Sequence, residues 1–344
     1  MVPVTPADLT PRGISVDALA AGVRSRNRTM LGRAITLVES NRLDHLHDAQ
    51  ELLRRLLPDT GRSHRIGISG VPGAGKSTFI ESFGLRLVDA GHRVAVLAVD
   101  PSSALSGGSI LGDKTRMERL AVRDEAFIRP SPAGGSLGGV GRTTRETMLL
   151  CEAAGFDVIL VETVGVGQSE AMVAEMVDLF ILLMIAGAGD ELQGIKRGNL
   201  ELADILVVTK ADGDNRDRAL RARAELDGAL QILRPAANDG WRPHVVTCSS
   251  ITGEGLDEIW DLVRTHHDEL ASSGRLDERR REQRVRWMWS MVEDRLRSML
   301  RSDPAVRARG LDLESAVRDG RMSASEAAEE LLPALGFGVP DPPE

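Results

Sequence analysis

The sequence predicts an α/β fold in which a mostly parallel central sheet is flanked by helices, with helical extensions at both ends. Two patterns carry that expectation. From residue 65 to about 270, short apolar runs alternate with amphipathic stretches at helical spacing. The runs are continuous and rich in β-branched residues rather than alternating apolar with polar, as strands covered on both faces are.

Strands are expected at 65–69 (RIGIS), 93–99 (RVAVLAV), 157–161 (DVILV), 179–185 (LFILLMI), 204–208 (DILVV) and 244–248 (HVVTC). Helices are expected over 76–90, 142–154, 214–233 and 255–270. Two glycine-rich stretches, Ser106 to Gly112 and Gly134 to Gly141, are expected as loops, either plain or ordered by a ligand. Ahead of the sheet, apolar residues recur at helical spacing from Met30 to Val38 and from Leu46 to Leu57, where Pro58 stops the run. After it, 277–300 reads as one long helix with Val285, Trp289, Val292, Leu296 and Met299 on one stripe, and Ser323 with Glu326 forms a capping box for a last helix. The expected organisation is an N-terminal helical extension over 1–60, a nucleotide-binding domain over 61–271 and a C-terminal helical dimerisation region over 272–344.

The chain has 344 residues, 42% of them hydrophobic, and a net charge of −8. Mixed charge without a basic stripe argues against a nucleic-acid partner. Cys151 and Cys248 belong to no CxxC or Cys/His cluster, which disfavours a disulfide framework or a structural zinc site, and the histidine pairs at 45/47 and 266/267 read as polar-face or chain-end residues rather than metal ligands. With no run of 18 apolar residues and no charged leader before a hydrophobic stretch, a cytoplasmic protein without a membrane anchor is expected. Only Lys76, Lys114, Lys196 and Lys210 are lysine among 43 basic residues. A compact ammonium kept where arginine is otherwise preferred marks places worth inspecting.

Gly70-Val71-Pro72-Gly73-Ala74-Gly75-Lys76-Ser77, followed by Thr78, fits G-x-x-x-x-G-K-[ST] between an expected strand and an expected helix. In such a P-loop the backbone N–H groups and the helix N-terminus cradle phosphates, the lysine reaches the β- and γ-phosphates, and the serine hydroxyl binds Mg²⁺. Thr209-Lys210-Ala211-Asp212 follows the strand 204–208 and approximates N-K-x-D. The Asp212 carboxylate can accept from guanine N1–H and N2–H₂, donors that adenine lacks, while the Lys210 stem covers the base plane. Thr209 in place of asparagine weakens a supporting hydrogen bond. Ser249, Ser250 and Ile251 lie in a loop resembling S-A-x-x-G, where a backbone N–H near Ser250 or Ile251 would meet guanine O6.

Glu162 ends the strand 157–161 and precedes Gly165, so E-T-V-G stands where many GTP hydrolases carry D-x-x-G. A carboxylate there holds Mg²⁺, and Gly165 lets an N–H approach the γ-phosphate; capping of a helix near 166–176 is the alternative. Asp100, after the strand 93–99, and Asp113, in GGSILGDKT, are candidates to orient the attacking water or hold a metal-bound water, with Asp113 also readable as a helix cap. Val166 stands where a water-positioning glutamine is found in Ras-type enzymes, so hydrolysis by the isolated protein is expected to be slow.

Taken together, GVPGAGKST (70–78), VDPSS (99–103), GGSILGDKTRM (107–117), SLGGV (136–140), ETVGVGQSE (162–170), GDELQGIKRG (189–198) and TKAD (209–212) closely resemble the MeaB/ArgK family, GTPase chaperones of methylmalonyl-CoA mutase. Ala104-Leu105-Ser106 and Thr209 depart from the family pattern. The resemblance implies a P-loop NTPase of the SIMIBI class that binds GTP/GDP with Mg²⁺ and forms a homodimer through its C-terminal helices. It also implies a partner, the adenosylcobalamin-dependent mutase, whose cofactor loading and protection from inactivation GTP hydrolysis would gate. Residues 189–198, with Lys196, correspond to a third mobile switch. The rival readings are a metallochaperone GTPase for hydrogenase or urease maturation, which resembles metal carriers with Cys/His ligands near the switches, an amino-acid transport kinase, which needs ATP, and a scaffold that binds GTP without turnover.

Overall fold

A computed structural model of the chain describes residues 13–40, 42–99, 117–130, 137–163, 169–186, 197–233 and 240–335. They divide into two compact units, Met1–Gln283 and Arg284–Glu344. The first is built on seven parallel strands: β1 (His64–Gly70), β2 (Val94–Val99), β3 (Ala126–Arg129), β4 (Val158–Thr163), β5 (Leu179–Ile185), β6 (Ile205–Thr209) and β7 (His244–Thr247). Their order across the sheet is β3-β2-β4-β1-β5-β6-β7. Glu162 pairs with Ile68 of β1 and Ala98 of β2, which places its carboxylate at the C-terminal edge of the sheet, inside β4 rather than after it.

The helices of the first unit are α1 (Val16–Arg24), α2 (Arg28–Val38), α3 (Leu43–Leu56), α4 (Lys76–Asp89), α5 (Glu118–Ala121), α6 (Leu137–Ala153), α7 (Ser169–Ala174), α8 (Arg197–Leu202), α9 (Arg216–Leu233) and α10 (Leu256–Ser272). α11 (Arg275–Ser302) begins in the first unit and runs on into the second, which also holds α12 (Pro304–Arg318) and α13 (Ala324–Leu331). The strand residues are buried on both faces because two helical layers cover them. On one face Leu97, Val99, Ile159, Val161 and Phe180 share a core with Leu31, Ile35, Val38 and Leu52 from α2 and α3 and with Met148 from α6. On the other, Ile66, Ile68, Val96, Leu160 and Ile181 pack against Phe79 and Phe83 of α4 and Trp260 and Val263 of α10. The N-terminal helices therefore complete the cover of the sheet.

Two details differ from the sequence-based expectation. β3 has only four residues, lies at the sheet edge and alternates buried with partly buried positions, so its three apolar residues were too short a run to read. α6 starts at Leu137, inside the stretch expected as a glycine-rich loop. At Gly141 a Cβ would lie 2.7 Å from the Met172 sulfur on α7, so a larger residue would require the Met172 side chain to move. A glycine in a helix costs up to about 1 kcal/mol relative to alanine, and here it permits the close approach of two helices.

The start of α11 is locked into the first unit by a buried ion pair. Arg280 donates to both carboxylate oxygens of Asp178, at 2.9 and 2.6 Å, and to the carbonyls of Gly61 and Ser63. Burial is the largest single influence on Asp178 and opposes its ionisation, but the hydrogen bonds and charge of Arg280, together with the charge and N–H of Arg65, outweigh it and hold the carboxyl below its usual range. In the second unit, Ser323 caps α13 by accepting from the Glu326 N–H at 3.1 Å, as the capping box predicts. No helix among the described residues is long and apolar enough to cross a membrane.

Candidate functional site

The P-loop leaves β1 at the centre of the sheet, and α4 begins at Lys76. Gly75 at the helix N-cap has φ 80°, a left-handed conformation costly for any residue with a Cβ, and no side chain caps the helix. The first N–H groups of α4 therefore remain available to an anion, aided by the helix dipole. Val71, Pro72, Gly73 and Ala74 form the turn, closed by an Ala74 N–H bond to the Val71 carbonyl at 3.1 Å, and Thr78 lies in the first turn of α4.

Lys76 Nζ donates to the Gly70 carbonyl at 2.8 Å, so the ammonium lies across the mouth of the loop. Burial lowers its pKa, while the nearby carboxylates of Glu162 and Glu170 pull the other way. Ser77 Oγ lies 3.5 Å from Glu162 Oε1. The Glu162 side chain is buried, so its charge is held in a poorly screened place close to an ammonium and a hydroxyl. A hydroxyl and a carboxylate oxygen at this separation form the kind of hard-oxygen donor set that suits Mg²⁺, which is bound through few protein ligands and completed by water and phosphate oxygens. The residues present fit that ion.

Sequence reasoning passed over Glu170, in the same ETVGVGQSE stretch. Its carboxylate is buried, lies 3.5 Å from Ser69 Oγ and is near enough to influence Lys76. Thr163 Oγ1 in turn donates to Ser69 Oγ at 2.8 Å. The signal was a second glutamate in a motif otherwise made of small residues, but only the fold brings α7 under the P-loop. Glu170 and Glu162 together give the lysine two carboxylate neighbours.

The base motif sits one strand beyond β5. Thr209 ends β6, and its hydroxyl lies 2.8 Å from the Ala74 carbonyl and 3.0 Å from that of Met184. The threonine thus makes the supporting contact expected to be weakened here. Lys210 has φ 59°, the left-handed region rarely used by residues other than glycine, which turns the chain out of β6 at this point. Ser249 donates a short hydrogen bond to the Asp212 carboxylate while its oxygen accepts from the N–H groups of Ile251 and Thr252, at 3.2 and 3.1 Å. Ser250 is held by its carbonyl, which accepts from Ser82 Oγ of α4 at 2.7 Å. The Ile251 N–H is turned toward Ser249. Asp212, Ser249 and Ser250 are brought together as the sequence pattern expects.

Asp100, Asp113, Gly165, Val166 and Lys196, with Lys114, lie outside the described residues. In the described chain β2 ends at Val99, β4 at Thr163, and α8 begins at Arg197. The described part of the site thus gathers the P-loop, the Ser77 and Glu162 oxygens and the Asp212 carboxylate along the C-terminal edge of one sheet, where parallel α/β proteins bind ligands.

The chain is similar to known proteins along most of its length. Residues 31–305 match the family model described as methylmalonyl Co-A mutase-associated GTPase MeaB. A putative GTPase of Caulobacter vibrioides is 58% identical over 324 residues, covering 94% of this chain and 99% of that protein. The mouse protein named methylmalonic aciduria type A homolog, mitochondrial, is 48% identical over 330 residues, covering 93% and 79% respectively. A solved structure described as a LAO/AO transport system kinase superposes with a TM-score of 0.76 at 38% identity, covering 98% of this chain and all of that one.

Proposed function

Because the chain belongs to the methylmalonyl-CoA mutase-associated GTPase family MeaB, we propose that it hydrolyses GTP in order to serve an adenosylcobalamin-dependent methylmalonyl-CoA mutase, gating cofactor loading and protecting the loaded enzyme. The observation that carries the guanine assignment is the Asp212 carboxylate, oriented by Ser249 and placed after β6, two strands from the β1 that leads into the P-loop. Asp212 reads the base, the Lys210 stem covers it, and Lys76 with the α4 N-terminus neutralises the phosphates. The chemistry attributed to the described aspartate does not suit a kinase acting with ATP.

Ser77 and Glu162, with Asp100, are the residues that would hold Mg²⁺; the ion, when bound, supplies charge neutralisation between the β- and γ-phosphates. Asp113 and Lys196 complete the constellation from the switch segments, and Gly165 admits the γ-phosphate to the backbone. Val166 in place of glutamine leaves the attacking water poorly oriented, so turnover depends on a partner that orders those segments.

The chain works as a cytoplasmic homodimer in this reading. α11 presents Val285, Met288, Trp289, Val292, Leu296 and Met299, each at least 40% exposed, which is more apolar surface than a solitary helix normally leaves in water. A second copy of the same stripe is the occupant that a closed symmetric assembly provides. Size-exclusion chromatography with light scattering tests both associations at once. The full chain is expected to elute as a dimer and to co-migrate with methylmalonyl-CoA mutase of the same organism when loaded with a GTP analogue; a monomer that never co-migrates would count against them.

A further inference from the structure

Far from the P-loop, at the opposite edge of the sheet, the residues preceding β1 and β4 border a cleft of about 400 Å³. That volume lies in the range of small-molecule sites. Its walls carry charges of both signs: Arg24, Arg26 and Arg62 against Asp59, Glu152 and Asp157. The carboxylates are already matched. Asp59 accepts from Arg24 Nε at 2.7 Å. Glu152 accepts two bonds from Arg65, at 2.8 and 2.9 Å, and a third from the Gly61 N–H at 2.9 Å. Asp157 accepts from the Arg93 N–H at 2.6 Å and is hydrogen-bonded to His92 Nδ1 at 2.7 Å.

Two of the three cations are not. Among the described residues, neither Arg26 nor Arg62 has an ion-pair partner. A third guanidinium, that of Arg93, lies 5.0 Å above the ring of Phe156, which lines the cleft, and its buried Nε has no hydrogen-bond acceptor. Burial and then the charge of Arg26 both disfavour protonation of Arg93, which places these two cations within electrostatic reach of each other. Arg26 is held at φ 63°, unusual for a residue with a side chain, and its Nε packs close against Gly155. A protein of net charge −8 has thus gathered at one cleft two arginines without an ion-pair partner, Arg26 and Arg62, with Arg93 beside them only partly offset by the charges of Glu125 and Asp157. Guanidinium groups so placed repel one another until an anion joins them, and their planar forks match two oxygens of a phosphate or carboxylate.

We propose that this cleft is a second ligand site, distinct from the nucleotide site, that binds a small oxyanion through Arg26 and Arg62 with Arg93 behind them. Its ligand is a phosphate- or carboxylate-bearing small molecule. The inference stands on its own geometry and does not depend on which partner the GTPase serves.

Isothermal titration of the full chain at fixed ionic strength, saturated with GDP and Mg²⁺, tests it with inorganic phosphate in one arm and citrate in the other. At least one probe is expected to bind saturably, phosphate alone marking a phosphoryl ligand and citrate alone a polycarboxylate. Arg26→Ala/Arg62→Ala should weaken that binding at least about tenfold, as the loss of a charge-assisted fork implies. Lys76→Ala should leave it intact, which separates this cleft from the P-loop. Arg218→Ala/Arg221→Ala removes two exposed charges on α9 and controls for general electrostatics; it should change nothing. Arg62→Gln alone, at an exposed residue ahead of β1, gives a second reading free of any folding defect and should weaken binding measurably. No saturable binding of either probe, full affinity in Arg62→Gln and the double variant, loss in Lys76→Ala, or equal loss in the Arg218/Arg221 control would each overturn the proposal.

Discussion

The hydroxyl of Thr209 lies 2.8 Å from the carbonyl of Ala74, joining the strand that carries the base motif to the loop that carries the phosphate motif. It is also 3.0 Å from the Met184 carbonyl on the intervening strand β5. One hydroxyl hydrogen is shared between two buried carbonyls, so the contact fixes three elements at once. Thr209→Val keeps the shape and removes the donor. A buried hydrogen bond of this kind contributes about 1 kcal/mol. The variant should therefore bind GDP and GTP roughly fivefold more weakly, with the guanine-to-adenine preference preserved. Calorimetric titration checks this, and unchanged affinity for both nucleotides would remove Thr209 from the account.

Most of the fold and the nucleotide site was legible in the chain. Continuous apolar runs marked six of the strands because both faces of the sheet are buried. The P-loop and TKAD declared themselves because phosphate and guanine recognition demand particular residues at particular spacings. What stayed hidden depended on distance in sequence. Glu170 meets Lys76 only after α7 folds under β1. Arg280 finds Asp178 across 102 positions. The four residues of β3 were too few to show a period, and Gly141 looked like loop material until Met172 was seen packing on it.

In the proposed reading, Asp212 is the basis of base selectivity. The chain should bind GDP at least about a hundredfold more tightly than ADP, since an unmatched carboxylate costs roughly 2–3 kcal/mol. Asp212→Asn should narrow that ratio at least about tenfold, mainly by weakening GDP. Parallel titrations with the two diphosphates decide it; comparable affinities in the unaltered protein would sink the guanine assignment.

Glu146, on α6, is buried and has Arg142 Nη1 at 3.4 Å from its carboxylate. Burial raises its pKa to about 7, with Arg142 only partly opposing. Between its ordinary value near 4.5 and about 7, the folded chain keeps a proton that the unfolded chain has released. Stability therefore falls as pH rises through that window and levels off above it. Glu146→Gln removes this dependence. In urea unfolding its advantage over the unaltered protein should be absent near about pH 4.5 and grow to the order of 2 kcal/mol by about pH 8. Stability curves that stay parallel across the window would show that the carboxyl ionises freely.

Phosphate release from GTP by the full chain with Mg²⁺, measured alone and with methylmalonyl-CoA mutase from the same organism, tests the proposed role most directly. The account predicts slow release alone and an acceleration of at least about tenfold with the mutase, about 1.4 kcal/mol off the barrier. It predicts that Lys76→Ala abolishes both rates, and that Lys196→Ala reduces the stimulation while leaving GDP affinity nearly unchanged. A rate that the mutase leaves unaltered over a full range of its concentration would contradict the account.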